Sequence, residues 1–390
     1  MGKPIHVPIT PQVLDWAIKE SGYTVDEVAI GAHISRDDLR AWLRDDAKPT
    51  LTQARSLAKV LKRTLSTFLL PDAPPLSKLP AEFRHAPGSL RTKANFDERL
   101  HLRRARRIQE AAKWLSHELG ESQAPLRKYS THDDVEEVGQ YTRQRLGPLL
   151  PTPLESWRTH SQAFRAWRAA LEKSGVLVLV LPLGEDAARG FSLWDDSVPL
   201  IAVNSAWNWA ARVYTLFHEL GHLLTRTSSV CLERSTGPKL SRPTDPEERW
   251  CEEFAAAALL PWSGSTGVAE FLKKRFEWSP GEKVATLDVP RAIANVFKVS
   301  WRAATIRLID RDLANWALYG AIPPYIDRKK RGGGGGGRDR GDIVYDELGE
   351  KTLALFFHGL NRHVIGRDDL FDYLDVSDAA LDRLQVAVRN

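Results

Sequence analysis

Two histidines and a glutamate stand at a spacing that could support metal chemistry. They are His218, Glu219 and His222, in a segment (211–225) whose apolar pattern predicts a helix. Side chains four residues apart lie on one helix face, so His218 and His222 could bind the same cation. Glu219 is rotated off that face and could hold a water molecule and take its proton. The spacing therefore predicts a zinc site with a general base beside it.

A core helix with two hydrogen-bonded histidines is the alternative, and a third ligand would favour the metal site. Catalytic zinc usually has three protein ligands and one open position. Residues 245–261 predict a second helix, with acidic residues in its first turn, an Ala-rich body and a final proline. Its small side chains would allow close packing against the first helix. Taken singly, each of its four glutamates is better explained as a solvated helix charge: Glu247, Glu248, Glu252 and Glu253.

The segments ARVYTLFHELGHLL and EERWCEEFAAAALLP together resemble the ImmA/IrrE family of zinc metallopeptidases. The resemblance implies Zn²⁺ as cofactor, with Glu248 as the third ligand beside the two histidines. Glu247 is the alternative if the register differs by one residue. Cys251 stands where the family usually has alanine, and Leu260 where it usually has methionine. We expect Cys251 to be a small packed residue, and a fourth metal ligand is the alternative.

Three segments before the histidine helix predict a small sheet: 175–182, 190–194 and 198–204. Family members have the same order of strands. In zinc peptidases an edge strand of this kind commonly pairs with the extended substrate backbone. Arg212, early in the histidine helix, could bind a substrate carbonyl or carboxylate. A structural salt bridge is the alternative for this arginine.

Residues 11–70 predict five short helices. Three of them begin with a polar cap and a side chain three residues later that could reach back to it: Thr24 with Glu27, Ser35 with Asp38 and Thr50 with Gln53. The segment resembles a helix-turn-helix domain of the phage-repressor and Xre type, with 35–43 as the recognition helix. Fusion of such a domain to a peptidase domain is common in the family that the rest of the chain resembles.

The role of this N-terminal segment stays open between double-stranded DNA and a protein partner. The candidate contact residues are Arg36, Arg40 and Arg44. Residues 1–72 carry ten basic and nine acidic side chains, so they have almost no net charge for binding phosphates. The rival role is docking onto a protein, such as a repressor that carries a similar domain.

Composition predicts a globular protein of two or three domains. The chain has 390 residues, 43% apolar and 27% charged, and only two cysteines, which excludes a disulfide framework. It has neither a signal-peptide segment nor an apolar run long enough to span a membrane, so we expect a cytoplasmic protein. The net charge is +5, and the excess lies in 84–128, with eleven basic against five acidic residues.

These observations predict a mostly helical α+β protein in four parts. A helix-turn-helix domain (1–72) precedes a Pro-rich linker and a long basic amphipathic helix (73–130). A zincin-like metallopeptidase domain with a small mixed sheet (131–270) and a helical C-terminal region (271–390) follow. The last part contains a glycine-rich loop (332–337). No Gly-Lys-Ser/Thr follows those glycines, so they do not form a phosphate-binding loop.

The resemblance implies an intracellular, site-specific peptidase that cuts a protein partner, typically a transcriptional repressor, and so controls a mobile element or a stress response. A DNA-binding regulator or toxin–antitoxin-type component with a structural or little-used zinc site is the alternative. A module that sequesters a repressor without cutting it is a third possibility. A peptidase requires Glu219, whereas a DNA-binding regulator requires Arg36 and Arg40 instead.

Overall fold

The computed structural model describes most of the chain. The described residues are 5–21, 23–61, 63–74, 93–121, 125–150, 156–185, 187–227, 230–231, 245–323, 326 and 339–389. The chain folds as two compact units, Met1–Arg103 and Arg104–Asn390. Within the described ranges, no helix is both long and apolar enough to cross a bilayer. Most of the predicted Pro-rich linker (75–80) and the predicted glycine-rich loop (332–337) lie outside the described residues.

The first unit has helices at the five predicted places. They are α1 (Pro11–Ser21), α2 (Val25–Ala32), α3 (Arg36–Leu43), α4 (Leu51–Leu61) and a 3-10 helix, Leu65–Leu69. Thr24 and Glu27 form a reciprocal capping box at α2, and Thr50 and Gln53 form the same arrangement at α4. Ser35 accepts a hydrogen bond from the Asp38 N–H at the start of α3. The reciprocal arrangement is therefore confirmed at Thr24 and Thr50, whereas at Ser35 only the cap itself is confirmed.

The second unit is mainly helical, and its boundary falls within the long helix α5. The helices up to the end of the predicted peptidase segment are α5 (Lys93–Glu118), α6 (Val135–Leu146), α7 (His160–Lys173), α8 (Trp209–Thr225), α9 (Pro246–Leu259) and α10 (Val268–Phe276). Those that follow are α11 (Asp288–Phe297), α12 (Trp301–Asp310), α13 (Trp316–Gly320), α14 (Arg340–Leu348), α15 (Glu350–Asn361), α16 (Arg367–Leu374) and α17 (Asp378–Arg389).

A small mixed sheet lies against these helices. Its strands are β1 (Leu177–Leu181), β2 (Gly190–Leu193), β3 (Leu200–Asn204) and β4 (Val230–Cys231). Their order is β1-β3-β2-β4; β1 runs parallel to β3, and β2 runs antiparallel to both β3 and β4. Helices α7 and α14 contact β1, while α8 contacts β2 and β3, so the apolar strands are buried. The α+β prediction and the three predicted strands are confirmed.

The two ligand-bearing helices, α8 and α9, pack against each other in the core of the second unit. Helix α6 covers α9 closely, because a Cβ added at Gly139 would lie 2.9 Å from the Ala257 Cβ. The same core includes Ile293 and Leu308, which lie beyond the predicted domain boundary at residue 270. That boundary therefore does not coincide with a break in the core.

Candidate metal centre

The local sequence of α8 and α9 brings the candidate ligands together where these two helices face each other. Helix α8 begins at Asn208, whose side chain accepts from the Ala211 N–H. Helix α9 begins at Asp245, whose carboxylate accepts from the N–H groups of Glu247 and Glu248 at 2.8 and 3.3 Å. This cap fixes the first turn of α9, and both glutamates therefore start from an ordered backbone.

Three side chains converge between these helices. The Nε2 atoms of His218 and His222 are 3.3 Å apart. One carboxylate oxygen of Glu248 lies 3.2 Å from the His218 Nε2, and the other lies 3.3 Å from the His222 Nε2. Among the described residues, these three form a group whose ligand atoms all lie within 4.8 Å of one another. Both imidazoles are buried, at 3% and 2% exposure.

The distance between the two histidine nitrogens fits a tetrahedral metal ion. Zinc binds imidazole nitrogen and carboxylate oxygen at about 2.0–2.1 Å, so two ligand atoms at a tetrahedral angle are about 3.3–3.4 Å apart. The two Nε2 atoms are 3.3 Å apart, and each approaches a different oxygen of Glu248, at 3.2 and 3.3 Å. With one atom from each residue, the three ligand atoms lie within 4.8 Å of one another. Two imidazole nitrogens 3.3 Å apart can share an N–H···N hydrogen bond, or both can direct their lone pairs at one cation. The donor set His₂Glu is one that catalytic zinc uses.

The pKa shifts of His218, His222 and Glu248 also indicate a site that favours positive charge. Burial lowers the pKa of both histidines. The hydrogen bond of His218 to Glu248, and those of His222 to Cys251, Glu247 and Glu248, have a larger opposite effect, so each pKa lies above its ordinary value. Burial raises the pKa of Glu248, whereas its hydrogen bonds to His218 and His222 lower it, and the net pKa lies below the ordinary value of a glutamate. The site therefore stabilises positive charge where these atoms meet, as a cation-binding site must.

Glu219 is fully buried beside the triad. Strand β2 passes close to it, because a Cβ added at Gly190 would lie 3.4 Å from the Glu219 Cγ and 2.6 Å from a methyl carbon of Thr215. A residue larger than glycine at the start of β2 would press on this helix face. Glycine at position 190 therefore lets the sheet approach the helix that carries Glu219.

Cys251 lies where α8 and α9 approach most closely. The thiol is fully buried, and a Cβ added at Gly221 would lie 3.0 Å from its Sγ and 3.2 Å from its Cα. Burial raises the pKa of this thiol and its hydrogen bond to His222 lowers it; the net pKa lies above the ordinary value, which opposes the thiolate form that metals bind. Within the described part of the chain, the convergent ligand group contains no cysteine. These observations agree with the expectation of a small packed residue.

We expect Gly221→Ala to disturb the metal centre through this contact. The added methyl group would meet Cys251 at distances that require one helix to move by a few tenths of an ångström. Overpacking of this kind costs about 1–3 kcal/mol. Thermal melting with and without zinc measures the effect. Gly147→Ala is the matched control, since no atom lies within 4 Å of its added Cβ; equal melting temperatures for both variants would contradict the prediction.

Arg212 is placed by the structure in a buried position, with 4% exposure. Its Nε donates to the Trp207 carbonyl at 2.8 Å and its Nη2 to the Ser205 carbonyl at 2.5 Å. The guanidinium also lies over the Trp209 ring, and burial lowers its pKa to about 10. This geometry favours a structural role for Arg212, in which the guanidinium donates to backbone carbonyls. Substrate binding by Arg212 stays a prediction without a supporting contact.

The three arginines predicted to contact DNA or a partner lie on α3 or at its end, and all are exposed. Arg36 and Arg40 both pair with Asp26, at 3.3 and 3.4 Å, and Arg44 pairs with Asp46 at 2.7 Å. The aspartates offset the positive charge that phosphate binding requires. The helix-turn-helix assignment and the role of these arginines remain predictions.

Sequence reasoning missed a second set of contacts around His222. Glu247, considered only as a substitute ligand, lies 3.2 Å from the His222 Nδ1, on the opposite side of the ring from Glu248. The hydroxyl groups of Thr225 and Thr227 donate to the same Glu247 oxygen. The sequence offers only a weak signal for this cluster, namely two threonines just after His222.

Comparison with known proteins bears on part of the second unit. Residues 171–308 match the family model described as Peptidase_M78, the IrrE N-terminal-like domain. No curated protein matches the chain. The matched range contains the sheet strands β1 to β3 and both ligand-bearing helices, and it does not include residues 1–72. The resemblance to ImmA/IrrE peptidases is thus supported for residues 171–308, which are similar to a metallopeptidase domain and carry a possible metal-binding triad.

Proposed function

We propose that this protein is a zinc-dependent peptidase. His218, His222 and Glu248 hold the metal, and Glu219 is the general base. The observation that carries the proposal is the convergence of two imidazole nitrogens and one carboxylate, whose ligand atoms lie within 4.8 Å of one another. It is supported by the match of residues 171–308, the range in which these side chains lie, to a peptidase family model. Three protein ligands leave a fourth position for chemistry, as in catalytic rather than structural zinc sites.

The protein's own side chains supply the proton transfers in this proposal. When bound, zinc polarises the scissile carbonyl and makes water a stronger nucleophile at neutral pH. Glu219 accepts a proton from the attacking water as the new C–O bond forms. It then donates that proton to the amide nitrogen, so the C–N bond breaks and a neutral amine leaves. The burial of Glu219 and its position next to His218 in the sequence support this role for a single carboxylate.

The substrate in this proposal is a peptide bond of a protein partner, such as a transcriptional repressor. Cleavage would then change expression of a mobile element or of stress-response genes. The N-terminal unit is proposed to recognise that partner. The pairing of both Arg36 and Arg40 with Asp26 supports a protein contact over a phosphate contact, because one of their two positive charges is offset.

Zinc binding tests the metal centre directly. We expect the purified protein to hold about one zinc per chain. Glu248→Ala should weaken zinc binding by more than the roughly 100-fold that loss of an outer-shell contact causes, because it removes a ligand. Chelator competition measures the dissociation constants. Glu253→Ala, on the same helix and outside the triad, is the control. A wild-type protein without zinc affinity would refute the proposal.

A further inference from the structure

His222 is held at both ring nitrogens by adjacent glutamates of α9. Its Nε2 faces Glu248 at 3.3 Å, and its Nδ1 faces Glu247 at 3.2 Å. Neighbouring side chains on a helix point about 100° apart, so these two carboxylates cannot occupy the same place. They reach opposite sides of one imidazole instead. Glu248 lies at the candidate metal position, and Glu247 lies on the Nδ1 side of the imidazole.

Glu247 is itself held by two threonines. Thr225, in the last turn of α8, donates to the Glu247 Oε1 at 3.2 Å, and Thr227 donates to the same oxygen. Thr227 reaches this place because Arg226 adopts the left-handed conformation, with φ of 67°, and ends the helix. The Thr227 N–H then donates back to the His222 carbonyl at 2.9 Å. The residues at the C-terminal end of α8 therefore lie on the Nδ1 side of His222.

His218 is positioned differently. Its Nδ1 is buried without a hydrogen-bond partner in the described residues. The Tyr214 ring instead lies nearly parallel to the imidazole, with centroids 6.5 Å apart and an angle of 26° between the planes. The Tyr214 hydroxyl donates to the Glu252 carbonyl of α9 at 3.2 Å. Only one of the two histidines therefore has its outer nitrogen next to a carboxylate of the described residues.

We propose that Glu247 is a positioning residue for the metal site, held in place by Thr225 and Thr227. A carboxylate only accepts hydrogen bonds, so the Nδ1 of His222 must carry the proton. The lone pair of a neutral imidazole then lies on Nε2, directed at the metal. The carboxylate also increases the electron density of the ring and strengthens it as a ligand. This inference rests on the zinc site proposed above.

The test compares the zinc affinities of variants that remove the Glu247 carboxylate, its charge alone, or one of its hydrogen-bond donors. Glu247→Ala should weaken zinc binding by about 10–100-fold, the range expected for an outer-shell partner. Glu247→Gln should lose less, because its amide oxygen still accepts from the Nδ1–H but carries no charge. Thr227→Val, which removes one donor to Glu247, should also have a smaller effect than Glu247→Ala. Glu253→Gln is the matched control on the same helix, and it should bind zinc as the wild type does.

The visible absorption of Co²⁺-loaded protein is the second readout, since it reports the number and type of ligands. Glu247→Ala should keep the wild-type ligand set, whereas Glu248→Ala should change it. If Glu247→Ala changes the spectrum as Glu248→Ala does, Glu247 is a ligand and the inference is wrong. Equal zinc affinity of Glu247→Ala and wild type would also overturn it. Absence of zinc binding in the wild type would instead refute the proposed function.

Discussion

Replacement of Glu219 by glutamine should lower peptidase activity by about 10²–10⁴-fold, the contribution typical of a positioned general acid–base group. Glutamine preserves the volume of the fully buried side chain but cannot take a proton from water. His218, His222 and Glu248 remain in place in this variant, so it should still bind about one zinc per chain. Loss of activity with retained zinc separates catalysis from metal binding.

New protein N-termini, detected by mass spectrometry in cells that express either form, provide the activity measurement. The narrow substrate range implied by the family resemblance makes this approach more sensitive than a general protease assay. One or a few termini should appear only with the wild type and identify the substrate. Glu253→Gln, which lies outside the convergent triad, is the matched control and should produce the same termini as the wild type.

A different result would favour the regulator hypothesis. If the two forms produce the same termini under resting and DNA-damaging conditions, hydrolysis is not the function of Glu219. In that case Arg36 and Arg40 should be required for the biological effect, and binding of double-stranded DNA to the full chain should decrease when both are replaced. Their ion pairs with Asp26 would then have to open for phosphates to be bound.

The sequence predicted the parts of the site that depend on one helix. His218 and His222 are four residues apart, and helix geometry alone places them on one face. The caps, the strand segments and the proline after α9 are equally local signals, and the structure bears them out. Such features follow from periodicity and backbone preference within about fifteen residues.

The position of Glu248 could not be derived from α9 by itself. Four glutamates in that helix are chemically equivalent in the sequence, and only the family resemblance pointed to one of them. The structure shows the physical reason, because the choice depends on how α8 and α9 pack. Their approach at Gly221 and Cys251 turns Glu248 toward the Nε2 atoms and Glu247 toward an Nδ1. Register between two helices is a tertiary property that a single segment does not encode.

An ion pair between a buried arginine and a half-buried glutamate, outside the candidate triad, was also invisible in the sequence. Arg307 of α12, at 1% exposure, forms two hydrogen bonds with the Glu136 carboxylate of α6, across 171 positions of the chain. Its Nε donates to the Leu260 carbonyl at the end of α9 at 2.8 Å. One guanidinium thus joins three helices, including the one that carries Glu248.

Replacement of Glu136 by glutamine should destabilise the protein by about 2–3 kcal/mol. The guanidinium of Arg307 would stay buried without its carboxylate, and loss of a partner costs about 3–5 kcal/mol for a fully buried pair. Glu136 is partly exposed, with 39% of its side chain accessible, so water can replace some of the lost interaction. Denaturant unfolding in the presence of a chelator measures the change without a contribution from metal binding.

The pH dependence of this loss distinguishes an ion pair from simple packing. Burial raises the pKa of Glu136, but its hydrogen bonds and charge interactions with Arg307 and Arg311 lower it further, to a net value below the ordinary 4.5. The pair therefore stabilises the folded state above pH 4.5, and this contribution disappears as pH falls through the lowered pKa. The difference in unfolding free energy between wild type and Glu136→Gln should shrink in the same pH range. A difference that does not vary with pH would show that Glu136 acts through packing rather than charge.

The double variant Glu136→Leu with Arg307→Met should recover part of the lost stability at about pH 7, since it leaves no unpaired buried charge.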